Sequence, residues 1–258
     1  MSEGQVQYAV EGPIATVVFN RPEARNAMTW RMYQQLFESC ERADADTTVR
    51  AVVLRGAGGN AFVAGTDITQ FKNFAQASDG LEYEDRIDEV VSRLEQVRVP
   101  TIAAIDGYAV GGGLMLAAAC DLRIATQSSR LGMPIARTLG NCLSMRNYAR
   151  LVHLIGAART GELIYTAEVI EASRALDYGL LTSVVDTDAL ESELTQLCAR
   201  LASNAPLTMS LTKAALLRLR GTQTPDGNDL VLTCYGSQDF AEGVASFTEK
   251  RPPQWTGN

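Results

Sequence analysis

Two glycine-rich turns hold the residues of this chain best suited to carry negative charge. Gly111-Gly112-Gly113 stands between two apolar runs, Thr101–Ile105 and Leu114–Cys120. The first reads as a short buried strand and the second as a buried helix. Three glycines at such a junction let the backbone turn sharply and leave no side chain to fend off a ligand. The first N–H groups of a helix have no partner within it, and its dipole is positive at that end. Such a corner can hold an anion or a developing oxyanion. A tight turn with close helix–strand packing explains the same triplet, so the glycines alone leave both readings open. No Gly-Lys-Ser/Thr follows, which excludes a phosphate loop of the NTPase type. Leu116 breaks the spacing of the dinucleotide fingerprint. The second turn spans Gly56 to Asp67 and again follows a strand-like run, Val49–Leu54, with Asp67 placed to cap a helix.

Other chemistry has less support. The chain has one histidine, His153, which argues against a zinc site and against a Ser/His/Asp triad. His153 sits in an apolar helical run and reads as packed or at an interface. The five cysteines are scattered and never form Cys-x-x-Cys, as expected of reduced, mostly buried thiols in a cytoplasmic protein. Cys142 as a nucleophile lacks an assured base.

The elements that must position these turns follow from periodicity. Val6–Val10 and Ile14–Phe19 form a hairpin. Asn20–Asn26 is a turn-rich loop. Thr29 caps a helix with Met32, Leu36, Phe37 and Cys40 on its apolar face. Leu81–Val97 is a long helix, strongly acidic on one face, and Leu122–Ala125 is a further strand. Repeated strand–loop–helix order predicts an α/β architecture with parallel strands. Leu151–Ile155, Gly161–Tyr165, Ala167–Tyr178 and Leu190–Ala202 read as helices, Leu207–Arg220 as amphipathic, and Asp239–Lys250 as the last helix. The chain of 258 residues is 46% hydrophobic and 21% charged, enough for one large core. A net charge of −7 with no basic tract argues against nucleic acid as a partner. No apolar run is long enough to span a membrane, and the first residues lack the pattern of a signal peptide.

Taken together, Ala61-Phe-Val-Ala-Gly-Thr-Asp-Ile68 and Ile105-Asp-Gly-Tyr-Ala-Val-Gly-Gly-Gly113 resemble the two signature loops of the crotonase superfamily, the enoyl-CoA hydratase/isomerase family. Asn20-Arg-Pro-Glu-Ala-Arg-Asn-Ala27 is similar to its N-terminal loop. Ala172–Val185 and Phe247–Arg251 are similar to its C-terminal marks. The resemblance implies a ββα spiral over residues 1–200 that binds acyl-CoA, followed by a helical trimerisation region over 201–258. It implies trimers or dimers of trimers and no cofactor beyond the CoA of the thioester. By the same resemblance, the N–H groups of Thr66 and Gly112 form an oxyanion hole that stabilises a thioester enolate. Ala24, Ala27, Ala64, Asp67 and Ile68 would line the adenine and pantetheine groove. Arg25 and Lys250 would lie near CoA phosphates, with Lys250 able to reach a neighbouring subunit's ligand.

The chain departs from the family at its acid and base. Hydratases of the family use two glutamates; the matching positions here are Met115 and Ile135, the latter just after Pro134. Met115, Pro134 and Ile135 are then expected to line the acyl part of the site. No carboxylate occurs from Thr126 to Ala158, and Met and Ile cannot move a proton. Ordinary hydration is therefore in doubt. A base could come from the Leu81–Val97 helix, which carries Glu82, Glu84, Asp85, Asp88 and Glu89, or more weakly from Asp67. The polar loop with Asn141, Ser144, Arg146 and Asn147 could meet a polar acyl group. The alternative is a noncatalytic acyl-CoA-binding homologue.

Overall fold

An antiparallel hairpin opens the chain. In the computed structural model, which describes residues 3–221 and 227–256, β1 (Gln5–Glu11) and β2 (Ile14–Asn20) pair from Gln5 opposite Asn20 to Glu11 opposite Ile14. Ala15, Val17 and Phe19 point inward and are buried, the period of two that a half-buried strand imposes. The helix α1 (Trp30–Ala45) starts where Thr29 Oγ1 accepts the Met32 N–H. It buries Met32, Tyr33, Leu36 and Cys40.

From β3 (Ala51–Gly56) the chain winds in turns, each giving one strand to each of two sheets. β4 (Ala61–Ala64) follows β3, then α2 (Ala77–Glu95). β5 (Thr101–Ile105), β6 (Tyr108–Val110) and α3 (Gly112–Ala119) make the next turn. β7 (Leu122–Thr126), β8 (Arg130–Gly132), α4 (Ile135–Thr138) and α5 (Met145–Tyr165) make the third. β9 (Val169–Glu171), α6 (Ala172–Asp177), β10 (Ser183–Val185) and α7 (Leu190–Ser203) close the spiral. The larger sheet has the order β1-β2-β3-β5-β7-β10 and the smaller β4-β6-β8-β9. All neighbours are parallel except β1 with β2 and β8 with β9. This is the ββα spiral that the resemblance implies.

The central strands of the larger sheet, β3, β5 and β7, are buried on both faces, which explains their unbroken apolar runs. Leu54, Ala103, Ile105 and Ala125 face the main core. Val53, Ile102, Ala104 and Ile124 face a second core that Leu190, Leu194 and Cys198 of α7 complete.

Three further helices follow: α8 (Pro206–Gly221), α9 (Asn228–Tyr235) and α10 (Gln238–Glu249). α9 packs along α2. Phe240 of α10 meets Phe71 and Phe74 with ring centroids 6.0 Å apart. Among the described residues no helix is long and apolar enough to cross a membrane.

The structure corrects several expectations. The turns at 56–67 and 105–113 are not loops throughout, since they contain β4 and β6, which pair with each other. Strands of three or four residues are too short for alternation to show. Val169–Glu171, expected as helix, is β9. The separate helices expected at 151–155 and 161–165 are one segment broken at Gly156, where φ is 74°.

Candidate active site

Three main-chain hydrogen bonds lace the N-terminal loop to the second glycine-rich turn. Ala64 N donates to Arg25 O at 3.0 Å, Met28 N to Gly65 O at 2.9 Å and Asp67 N to Met28 O at 2.9 Å. Asn26, fully buried with φ 58°, bonds through its side chain to Arg21 N, Ala57 O and Ala61 O. Asparagine suits such a left-handed position because its amide can bond locally. Ala24, Arg25, Ala27, Ala64, Asp67 and Ile68 are thereby brought onto two adjoining loops. Ala24, Ala27, Ala64 and Ile68 are half-buried and Arg25 is exposed, with its guanidinium 5.4 Å from the Tyr108 ring centroid. Asp67 accepts from Thr69 N at 3.0 Å and pairs with Arg21 Nη1 at 2.6 Å. Burial pushes its carboxyl up, but bonds from Thr69 and Arg21 outweigh that and hold it below the usual range. A carboxylate so engaged is a poor base, and its capping role accounts for it.

The triplet divides by position. Gly111 has φ 54°, where a side chain would be strained. A Cβ on Gly113 would lie 1.9 Å from Val63 O, so α3 is pressed against β4. Turn and packing explain these two glycines. At Gly112 an added Cβ would instead sit 3.6 Å from Thr66 N, 3.0 Å from the Tyr33 hydroxyl and 3.1 Å from Thr66 Oγ1. Thr66 and Gly112, 46 positions apart in sequence, are thus neighbours in space. Among the described residues neither their N–H groups nor any side chain bonded to them forms a hydrogen bond that uses those two protons. Gly112 opens α3, where an N–H has no helical partner; Thr66 bridges Met28 edge-on, and that bridge uses the N–H of Asp67 instead.

A cluster of hydroxyls borders this pair of amides. Thr66 Oγ1 lies 2.8 Å from the Tyr33 hydroxyl and accepts from the Tyr83 hydroxyl at 3.0 Å. Tyr33 comes from α1 and Tyr83 from α2, and burial pushes both phenols above their ordinary range. Trp30 packs on both rings, at 5.8 and 5.6 Å between centroids, and Phe71 on Tyr83 at 4.8 Å. Neither tyrosine stands out in the sequence, because an aromatic on the apolar face of a helix reads as core. The only signal was the choice of Tyr over Phe at two buried positions.

Met115 and Ile135 are buried at 2% and 7% exposure, with Pro134 half-buried before Ile135. No proton-moving group stands at either position. The carboxylates of the acidic helix do not share one face. Glu82, Asp85 and Glu89 are exposed, whereas Glu84 and Asp88 point inward. Asp88 is held by Arg150 Nη1 at 3.0 Å, and the same guanidinium binds Glu95 at 2.8 Å. Glu84 accepts from the Tyr235 hydroxyl at 2.7 Å and from Ser144 N at 2.8 Å. Burial lifts its carboxyl to about 7, against those bonds. Of the five carboxylates considered, only Glu84 is both buried and free of a cationic partner.

The polar loop is largely accounted for by structure. Ser144 caps α5 through the Asn147 N–H at 3.2 Å, and buried Asn147 accepts from Arg150 at 2.8 Å. Arg146 is exposed. A cavity of about 740 Å³ lies between α2, α5, α8 and α9, lined in part by Glu84, Asp88, Arg150 and Arg220. Its lining includes Glu84, Asp85 and Asp88 of the candidate bases and Ser144 and Arg146 of the polar loop, but none of the residues expected at the oxyanion hole or the CoA groove. Lys250 is exposed at the left-handed C-cap of α10. His153 is exposed rather than packed.

Comparison with known proteins supplies a framework for this geometry. The family model described as enoyl-CoA hydratase/isomerase matches residues 9–258. A short-chain-enoyl-CoA hydratase of Clostridium acetobutylicum is 34% identical over 93% of this chain and 93% of its own. A mouse protein named enoyl-CoA hydratase domain-containing protein 2, mitochondrial, is 34% identical over 99% of this chain and 89% of its own. A solved structure of methylmalonyl-CoA decarboxylase in complex with 2-nitronate-propionyl-CoA superposes with a TM-score of 0.91 at 27% identity. It covers 98% of this chain and 99% of that one.

Proposed function

The chain belongs to the enoyl-CoA hydratase/isomerase family of the crotonase superfamily, and from that premise we propose that it stabilises the enolate of an acyl-CoA thioester between the Thr66 and Gly112 amides. The observation that carries this reading is the adjacency of two main-chain donors from separate turns, neither engaged by another of the described residues. An enolate oxygen between them would take two fixed hydrogen bonds in a dry site. Each such donor is worth about 3–4 kcal/mol at the transition state. The CoA chain would run over the small residues Ala24, Ala27, Ala64 and Ile68, with Arg25 and Lys250 at its phosphates. The reading asks for no separate cofactor. A cytoplasmic setting suits the free cysteines.

Two-glutamate hydration does not fit Met115 and Ile135. The reaction that needs least from this site leaves the electrons on Cα without a base. Decarboxylation of an α-carboxyacyl-CoA does so: the bond from Cα to the carboxylate breaks, its pair becomes the enolate and CO₂ departs. A proton from solvent then returns to Cα. The decarboxylase with the same fold favours this version.

The test is a panel: crotonyl-CoA, a dienoyl-CoA, a 3-hydroxyacyl-CoA and methylmalonyl-CoA, each followed for turnover and for binding by calorimetry. CO₂ release from methylmalonyl-CoA with slow hydration of crotonyl-CoA is the expected result. Binding without turnover across the panel would make the protein a noncatalytic acyl-CoA binder. No binding of any member would end the reading.

A further inference from the structure

We propose that the Tyr33–Thr66–Tyr83 hydroxyl cluster supplies a third hydrogen-bond donor to the same oxyanion, beside the two main-chain amides. The proposal rests on the reading that a thioester carbonyl sits at Thr66 N and Gly112 N.

A count of protons carries it. Three hydroxyls hold three protons, and the cluster makes two hydrogen bonds. Tyr83 is the donor in its bond to Thr66 Oγ1. In the bond between Tyr33 and Thr66 either oxygen can donate. If Tyr33 donates, the Thr66 proton is left over; if Thr66 donates, the Tyr33 proton is left over. Among the described residues no other acceptor meets either hydroxyl. One proton therefore stays unspent in both arrangements.

The unspent proton is also in the right place. A Cβ on Gly112 would touch the Tyr33 and Thr66 oxygens at 3.0 and 3.1 Å, with Thr66 N at 3.6 Å. The space that the missing side chain leaves is bounded by both hydroxyls and by one of the two amides. An unspent donor in a buried position is costly unless something takes it. Simple packing does not ask for hydroxyls here, since Trp30, Phe71 and Phe74 already make this an aromatic wall in which phenylalanine would serve. The raised phenol pKa values keep the protons in place, so the cluster donates a hydrogen bond and does not transfer a proton.

The sharing of one proton between two oxygens gives a distinctive test. Acetyl-CoA labelled with ¹³C at the thioester carbonyl is bound to the protein, and the carbonyl stretch is read by difference infrared spectroscopy. The wild-type protein should shift the band to lower frequency. Tyr33→Phe leaves the Thr66 proton available, and Thr66→Val leaves the Tyr33 proton available while keeping the main-chain N–H. Each single variant should therefore lose less than half of what is lost when the two are combined with Tyr83→Phe, which removes the proton that Thr66→Val would otherwise free. This triple variant should lose about a third of the shift, one donor of three. Circular dichroism and the acetyl-CoA affinity check that it is folded and occupied; Tyr33→Phe and Tyr83→Phe with Thr66→Ala is the second version if it is not. A full shift in a folded, occupied triple variant overturns the proposal, as do single variants as severe as the triple. No shift in the wild-type protein, or no binding, instead sinks the reading that places a thioester here, and the third donor falls with it.

Discussion

At the scale of residues, the site divides into groups that hold charge and groups that stay neutral. Glu84 is the exception, a carboxyl buried without a cation and lifted to about 7. The native state keeps its proton up to that pH, whereas the unfolded chain releases it near the ordinary value of 4.5. Native protein thus binds more protons in this interval, and its contribution to stability, complete below about pH 4.5, is lost as the pH rises to about 7. The loss is up to about 3 kcal/mol. Glu84→Gln keeps the shape and can still meet Tyr235 and Ser144. It should be more stable than wild type at pH 8 and no more stable at pH 4.5, read by urea unfolding. Equal pH dependence in the two proteins would contradict this account of Glu84. Met115 and Ile135 allow a second test. Restoring both carboxylates as Met115→Glu with Ile135→Glu should raise crotonyl-CoA hydration by roughly 100-fold, measured as loss of the enoyl absorbance. No gain in a folded variant that still binds ligand would mean that these positions do not face the β carbon. The glycine triplet was legible because spacing and residue type distinguish it, whereas the groove alanines and the replaced glutamates were legible only through the family resemblance. Tyr33 and Tyr83 were not, since only the fold brings residues 50 positions apart onto one threonine.

At the scale of elements, the site depends on how closely α3 approaches β4. Val63 O lies where a Gly113 Cβ would be; Gly112 opens α3 and Thr66 follows the end of β4 by two residues. Gly113→Ala should cost at least about 3 kcal/mol, because backbone cannot move aside as a side chain can. Urea unfolding should give a loss well beyond that of Gly112→Ala, whose Cβ meets only hydroxyls and an amide at 3.0 Å or more. Equal costs for the two variants would refute this view of the junction. Long elements such as α1, α2 and β2 were legible from periodicity. β4, β6, β8 and β9 were not, because each is four residues or fewer and its place is set by pairing with the turn beside it.

At the scale of the whole molecule, α8 is the element least satisfied by its own chain. Lys213, 8% exposed, ties it to Asp121 at 2.7 Å, and Arg220 ties it to Glu95 at 2.7 Å. These anchors share one side of the helix with Met209 and Leu217, which are half-buried. The opposite side shows Leu207, Leu211 and Leu219, with Leu216 at its edge, each at least 59% exposed. Fully burying one such leucine is worth about 2 kcal/mol, so a helix presenting four of them to water leaves much stability unrealised. An apolar stripe of this kind marks an interface, and the helical end of the chain is where the family resemblance puts trimer contacts. The protein should therefore run as three or six chains in light scattering at micromolar concentration. Leu211→Glu with Leu219→Glu should convert it to single chains without loss of helical circular dichroism, because both side chains are largely exposed on a single chain. A wild-type protein that elutes as a single chain would show that α8 is not an interface between copies. If the assembly does form, Lys250 at the exposed C-cap of α10 gains a route to a neighbouring chain's ligand. The double variant should then bind acetyl-CoA more weakly, with an affinity that Lys250→Ala lowers in the wild-type assembly but not in the separated chains.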